Sequence, residues 1–344
     1  MTAAAGAVTA FAGTNIALVK YWGKRDAALN LPATGSLSLT LDRLGTRTTV
    51  HFDGDGGGGA GATDRIVMNG APADAATTAR VTAFLDRVRA HAGSRVGSTA
   101  RAFVTTENGV PTASGLASSA SGFAALAVAA TRAAGLELPP DELSVLARLG
   151  SGSAARSIFG GFVEMAPGAR ADGRDAVAAP IPGGDVWSDL RLVVALTSAG
   201  AKAVGSTAAM ERTARTSPFY AAWLASVPTD LVESRAAVAA RDLPRLGAVA
   251  ERSALRMHAA AMAADPAIIY WNPATLAALA CVRALRERGL PVFFTIDAGP
   301  HVKALCRAAH ADEVAVSLAA VPGVVKTLTA APGPGARVVE GGGA

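Results

Sequence analysis

The sequence predicts an α+β chain of two domains, and three observations carry that expectation. The 344 residues suffice for two domains of ordinary size or one large one. Short strand-like apolar runs are mixed with longer helical ones along the chain. Composition changes around Val186, after the loop-rich stretch GARADGRDAVAAPIPGGD, which divides the chain into 1–186 and 187–330.

The elements follow in order. RTTVHF and DRIVMNG are strand-like and flank GDGGGGAGA, so they are expected to form a hairpin with a glycine-rich tip. No helical run follows that tip, which argues against a phosphate cradle there. RAFVTTEN is a strand, PTASGLASSASG a loop, and GFAALAVAATRAAG a helix. PDELSVLARLG is a helix opened by Pro and acids. GGFVEM is a strand, and LRLVVAL a buried one. From Ser206 to about Ala264 the chain is mostly helical. PATLAALACVRALRERG is an amphipathic helix that stops at Gly289, and PVFFTID is a strand. PHVKALCRAAHADEVAVSLAAV is expected to be helical. The Gly- and Pro-rich tail, residues 331–344, is expected to be disordered.

Composition excludes several classes. With 51% apolar and 17% charged residues the chain has ample core and is not a disordered protein. The longest apolar runs, such as FAALAVAA before Arg132, fall well short of the roughly 20 residues that span a bilayer. MTAAAGAVTAFAG lacks a basic region, so neither a signal peptide nor a membrane is expected, and the location is expected to be cytoplasmic. The net charge of +5 reflects either an Arg-rich surface or an anionic substrate. Nucleic acid is not expected, because no basic cluster is interleaved with stacking aromatics. Cys281 and Cys306 lie far apart without a CxxC, as free thiols of a reducing compartment would.

Four stretches can carry chemistry. PTASGLASSASG, Pro111 to Gly122, follows a strand and opens a helix, so its backbone N–H groups and the helix dipole can meet an anion. Pro111, Ser114, Gly115, Leu116, Ala117, Ser118 and Ser119 would line that phosphate site, and Ser118 and Ser119 could offer a hydroxyl to Mg2+ or phosphate. It is not a Walker loop, since GK[ST] is absent, and a solvated Ser-rich connector is the alternative. NIALVKYWGKRD holds two of only five Lys, one of three Tyr and one of four Trp. Its Lys20 and Lys24 suit phosphate as mobile charges, or snorkel from a strand end. GSGSAARSIFGG carries Arg156, whose fork can clamp a carboxylate, or is a tight turn with a surface Arg. TIDAGP places Asp297 after an apolar strand, where it is a general base, a hydroxyl-orienting carboxylate, or a turn cap. Together the set points to phosphoryl transfer from a nucleotide to a small anionic alcohol.

NIALVKYWGKRD, LNLPATGSLSLTL, PTASGLASSASG, ARLGSGSAARSIFGGFVEM, KAVGSTAAM and TIDAGP appear in that order between Asn15 and Pro300. In this combination the chain closely resembles the diphosphomevalonate decarboxylase family of the GHMP kinase superfamily. The resemblance implies a GHMP-kinase-like fold with the active-site cleft between two domains, and a homodimer. It implies ATP-dependent decarboxylation of mevalonate 5-diphosphate to isopentenyl diphosphate, CO2, ADP and phosphate, with ATP and Mg2+ bound. It puts substrate contacts on Asn15, Lys20, Tyr21, Trp22, Gly23 and Lys24, on Ser151, Gly152, Ser153, Ala154, Ala155 and Arg156, and on Ser206, Thr207 and Met210. It makes Ser119 the phosphate-loop serine, Asp297 the acid that holds the 3-hydroxyl, Arg156 the carboxylate clamp, and Lys24 a cation that reaches the reacting centre. Many members have Asn after DAGP where this chain has His301, and the insert at Gly54 to Ala62 leaves any adenine pocket there unassigned. The alternatives within the fold are a mevalonate 5-phosphate decarboxylase or a 3-kinase that stops before CO2 loss. A non-enzymatic member would be expected to lack the acid or the phosphate loop.

Overall fold

The computed structural model describes residues 6–53, 63–97, 100–109, 118–184, 187–198, 200 and 203–340. The predominantly apolar segment VTAFAGTNIALV forms β1 (Val8–Val19). A two-stranded ribbon follows, β2 (Lys24–Asp26) with β3 (Leu31–Pro32), and then β4 (Ser36–Phe52) returns antiparallel to β1. Next come β5 (Arg65–Met68), β6 (Ala71–Pro72), α1 (Ala75–Ala92) and β7 (Ala102–Asn108). α2 (Ser118–Ala133), α3 (Pro140–Gly150), α4 (Ala154–Ser157), β8 (Phe162–Met165) and β9 (Ala178–Pro180) complete the first half. β4 is long enough to pair with β7 through Thr46–Phe52 and with β8 through Ser36–Leu39, so the sheet branches at this strand.

α2 lies across β1 and β4. Its Ala124, Ala125, Ala127, Ala129 and Ala130 are fully buried, and these small side chains let the helix approach the sheet while α3 and α4 pack on its other sides. The expected hairpin between RTTVHF and DRIVMNG does not form. β5 instead pairs parallel with β7, which sits between it and β4, and α1 makes the crossover that a parallel pair requires. Residues 54–62, the expected tip, lie outside the described residues.

The second half opens with β10 (Leu190–Leu196), followed by α5 (Ser206–Thr216), α6 (Tyr220–Ala240) and α7 (Leu243–Met262). α8 (Pro273–Glu287) has Pro in its first turn and a reciprocal cap between Asn272 and Thr275, and Gly289 takes φ 96° just beyond its end. β11 (Phe293–Ile296), β12 (Val302–Arg307), α9 (Ala311–Ala319), β13 (Lys326–Ala330) and β14 (Arg337–Val339) close the chain. β11, β12, β10 and β13 form an antiparallel sheet in that order. One apolar core joins the halves: Leu18 and Leu39 of the first sheet share it with Val194, Leu246 and Leu305 of the second half.

Two further expectations are not met. VKALCR is a strand, not the start of a helix; only Ala311–Ala319 of that segment is α-helical. The strand is buried on both faces, so its apolar run carries no period that separates it from a buried helix. Residues 331–340 are not a free tail, and residues 341–344 lie outside the described residues. β14 adds an edge strand to β1, with Thr9 opposite Val339 and Phe11 opposite Arg337, and Pro332 bridges Leu41. Gly and Pro content argues for disorder locally, but an open sheet edge satisfies the backbone of this segment.

Candidate active site

The opening motif begins where β1 ends. The backbone N–H of Lys20 donates to Ser253 Oγ of α7 at 3.0 Å, which ties the turn to the second half of the chain. Gly23 adopts φ 112°, and a Cβ there would lie 1.9 Å from Tyr220 Oη, so glycine is required where the chain turns back against α6. The turn buries Trp22 and leaves Tyr21 partly buried. Trp22 Nε1 and Tyr21 Oη are buried without a hydrogen-bond partner among the described residues. Burial pushes the Tyr21 phenol up to about 12, so it stays neutral.

Asp297 follows β11 and is held between two lysines. Lys20 Nζ donates to Oδ1 at 2.6 Å and to the Ala17 carbonyl at 2.7 Å, and Lys303 Nζ lies 3.1 Å from Oδ2. Both lysines are 1% exposed, whereas Asp297 keeps 20% of its side chain open to the cleft. Burial alone would raise the Asp297 pKa, but the two ammonium groups outweigh it and hold the carboxyl below the usual range. Burial lowers Lys20 to about 8 against the opposing pull of Asp297. His258, fully buried on α7, is pushed by burial and then by Lys20 down to about 3, so it is neutral beside this cluster.

Arg156 sits on α4 and is 2% exposed, not a surface residue. Its guanidinium donates to Asn15 Oδ1, Ser36 Oγ and Ser38 Oγ, at 3.1, 2.7 and 3.0 Å for the shortest contact to each. Asn15 is oriented in turn by donating to the Ser153 carbonyl and Ser157 Oγ. All of these acceptors are neutral, and no carboxylate pairs with Arg156 among the described residues. Burial lowers its pKa to about 10, so the charge persists at neutral pH. A buried guanidinium in a cage of neutral acceptors is suited to an anionic ligand.

Lys20, Arg156 and Asp297 line one cavity of about 820 Å3. It gathers Asn15, Lys20, Tyr21, Trp22, Lys24, Ser119, Ser151, Gly152, Ser153, Arg156, Ser206, Thr207, Met210 and Asp297 from segments far apart in sequence. Gly23, Ala154 and Ala155 do not line it; the two alanines are buried in α4 and act through packing. Residues 111–117, and the Ser118 side chain, lie outside the described residues. Ser119, on the first turn of α2, approaches Ser151 Oγ at 3.4 Å, which points that helix start at the cavity.

Of the two lysines in the opening motif, Lys20 and not Lys24 contacts Asp297. Lys24 Nζ donates to Asn30 Oδ1 at 2.6 Å, and Asn30 is anchored on the carbonyls of Arg148 and Leu149. Four polar residues that the sequence reading did not assign to the site also belong here. Lys303 backs Asp297, while Asn30, Arg80 and Glu211 line the cavity. Lys303 could have been found from the scarcity of Lys, and Asn30 lies within a quoted motif, but Arg80 of α1 carries no local signal. His301, the departure after DAGP, is buried and its Nδ1 accepts the Thr197 N–H, tying the turn to the end of β10.

Two domains meeting over a cleft of buried cations around one carboxylate, with a helix N-terminus at its rim, define an enzyme of the GHMP kinase type. The match to known proteins is closer than that. Residues 12–178 match the diphosphomevalonate decarboxylase-like N-terminal domain, and residues 192–331 the mevalonate 5-diphosphate decarboxylase C-terminal domain. Diphosphomevalonate decarboxylase mvd1 of Aspergillus fumigatus is 38% identical over 85% of this chain and 75% of its own. The structure of MDDEF in complex with MVAPP, AMPPCP and magnesium superposes with a TM-score of 0.88 at 42% identity, covering 97% of this chain and 99% of that one. The mevalonate diphosphate decarboxylase of Staphylococcus aureus superposes with a TM-score of 0.90 at 36% identity, over 97% and 98% of the two chains. The chain belongs to the diphosphomevalonate decarboxylase family.

Proposed function

We infer that the chain catalyses ATP-dependent decarboxylation of mevalonate 5-diphosphate to isopentenyl diphosphate, CO2, ADP and phosphate. The observation that carries this is the pairing, across one cavity, of an ionised Asp297 with a buried Arg156 that has no acidic partner among the described residues. A 3-hydroxy carboxylate offers a hydroxyl to the first and a carboxylate to the second. The family membership and the relatives' activity support the same reading. The MDDEF complex with MVAPP, AMPPCP and magnesium supports ATP and Mg2+ as ligands.

The roles follow from the environments. Asp297 accepts a hydrogen bond from the 3-hydroxyl and orients its oxygen toward the γ-phosphorus. Its lowered pKa makes it a weak base, so it takes the proton late, as the new P–O bond forms and the hydroxyl becomes strongly acidic. Lys20, charged and adjacent, offsets negative charge on the transferring group. Once the 3-oxygen is phosphorylated, its C–O bond breaks, phosphate leaves with the electron pair, and the C–C bond to the carboxylate supplies the electrons of the alkene as CO2 departs. Arg156 holds the carboxylate until that point, against the face of Tyr21 at 5.9 Å. Lys24, with Arg80 on the same wall, takes the diphosphate end.

Among the described residues no three His, Cys, Asp or Glu side chains cluster as a metal cage. The donor set, the Ser119 hydroxyl on a helix start, fits Mg2+ held chiefly by nucleotide phosphates and water. When bound, that ion neutralises phosphate charge. The family's homodimer and a cytoplasmic location complete the proposal; no helix among the described residues is long and apolar enough to cross a membrane. The test is to incubate pure protein with ATP and each mevalonate phosphate and count ADP, phosphate and CO2 together. Matched release on the diphosphate is expected. ADP without CO2 refutes decarboxylation, and turnover only on the monophosphate reassigns the substrate.

A further inference from the structure

Lys303 takes no part in the steps above, yet its placement is unusual. It lies on β12, opposite Thr295 of β11 on one side and Val194 of β10 on the other. Its neighbours Val302, Ala304 and Cys306 turn into the apolar core shared with α8 and α9, so Lys303 turns to the opposite face, toward the cleft. An ammonium buried in the middle of a sheet is costly unless paired, and the carboxylate beside it is Asp297. The two oxygens of that carboxylate are treated differently. Oδ1 accepts from Lys20 at 2.6 Å, while Oδ2 is buried and faces the Lys303 ammonium at 3.1 Å. The oxygen left to meet a ligand is therefore Oδ1.

We propose that Lys303 is a positioning residue that grips the inner oxygen of Asp297 from the middle of the sheet, keeping the carboxylate ionised and presenting Oδ1 to the substrate hydroxyl. The inference rests on the role given to Asp297 above. Among the described residues, the charged and titratable groups that face Asp297 are Lys20 beyond β1, Lys303 on β12, Arg156 on α4 and His258 on α7. His258 is neutral, so the field at the carboxylate comes from the cations, with the two lysines in contact. Lys20 sits at a strand end, whereas two ladders fix the backbone of Lys303. Without Lys303, burial works against Lys20 and the more distant Arg156.

The test uses full-length protein carrying 13C at the aspartate carboxyls, with the Asp297 signal assigned by its loss in Asp297→Asn. In the parent the signal is expected to stay that of the carboxylate from about pH 8 down to below the ordinary aspartate value of about 3.9. In Lys303→Met the midpoint is expected to rise by at least about one pH unit, the effect of losing an opposite charge at contact distance, and in Lys303→Arg to stay low. On turnover, Lys303→Met is expected to lower kcat by about tenfold or more, leave the KM for ATP unchanged, and raise the acid limb of the pH profile, with Lys303→Arg restoring much of the loss. Where Lys303→Met fails to fold, Lys303→Gln replaces it in the same titration. An Asp297 midpoint that does not move when the charge is removed overturns the proposal, as does an unmoved acid limb with kcat intact. The titration needs no turnover, so an inactive parent enzyme would strike the proposed activity and leave this result standing.

Discussion

Asp297→Asn keeps the side chain's size, removes its charge, and has two separate costs. The first is chemical. The amide no longer takes the proton of the 3-hydroxyl, and turnover is expected to fall at least about 100-fold. The second is to the fold. Lys20 and Lys303 are each 1% exposed, and both lose the anion they face. Removing one partner of a buried ion pair costs about 3–5 kcal/mol. Deprotonation limits that cost. With the carboxylate present, burial already takes Lys20 from 10.5 to about 8, a penalty of about 3 kcal/mol on the charged amine, and without it the value falls further. A lysine with a lowered folded pKa binds fewer protons folded than unfolded, so stability rises with pH between the two values. In the variant that window extends down toward neutrality. Its deficit against the parent is therefore largest near about pH 6 and shrinks toward about pH 9. Urea unfolding at both pH values, ADP and CO2 release, and direct ATP titration measure the three parts. ATP binding is expected to persist. Near-normal turnover would remove Asp297 from the mechanism, and parental stability at pH 6 would refute the argument from two buried ammonium groups.

Arg156→Lys replaces a fork by a point charge inside a cage of Asn15, Ser36 and Ser38. Losing one or two charge-assisted bonds of about 1.5–3 kcal/mol each predicts CO2 release reduced about 100-fold, with a lower Tm because the site is buried; unchanged CO2 release would show that Arg156 does not hold the carboxylate. Lys24→Ala removes one bond to Asn30 at a half-buried site, so stability should change by about 1 kcal/mol while the KM for the diphosphate rises steeply; an unfolded variant whose folded fraction keeps parental kinetics would make Lys24 structural. If protonated Lys20 is required, turnover falls as pH rises past its pKa of about 8, and Lys20→Arg should carry that limb upward; a limb that stays in place assigns it to another group. Gly23→Ala meets both φ 112° and Tyr220 Oη, and the pair Gly23→Ala with Tyr220→Phe should recover part of the Tm lost by the first; no recovery would leave backbone strain as the whole cause.

The sequence by itself determined the chemistry on offer and most local elements. Rare Lys, Tyr and Trp gathered in one motif mark a site because such residues are seldom spent together on a surface. The capped helix α8, with Pro273 at its start and Gly289 past its end, is written in its own residues. Tertiary structure alone decided what depends on partners distant in the chain. Residues 302–307 become a strand because β10 and β11 flank them, and only then does Lys303 point at Asp297. Lys20 and Lys24 are indistinguishable as letters four apart. One ends against β11 and Asp297, and the other against Asn30 on the far wall. The pairing of β5 with β7, and of β14 with β1, likewise rests on sheet edges that no local period encodes. Local sequence sets backbone preference and side-chain chemistry within a turn or two. Burial of a charge, and hence its pKa and its role, is set by which segments pack around it.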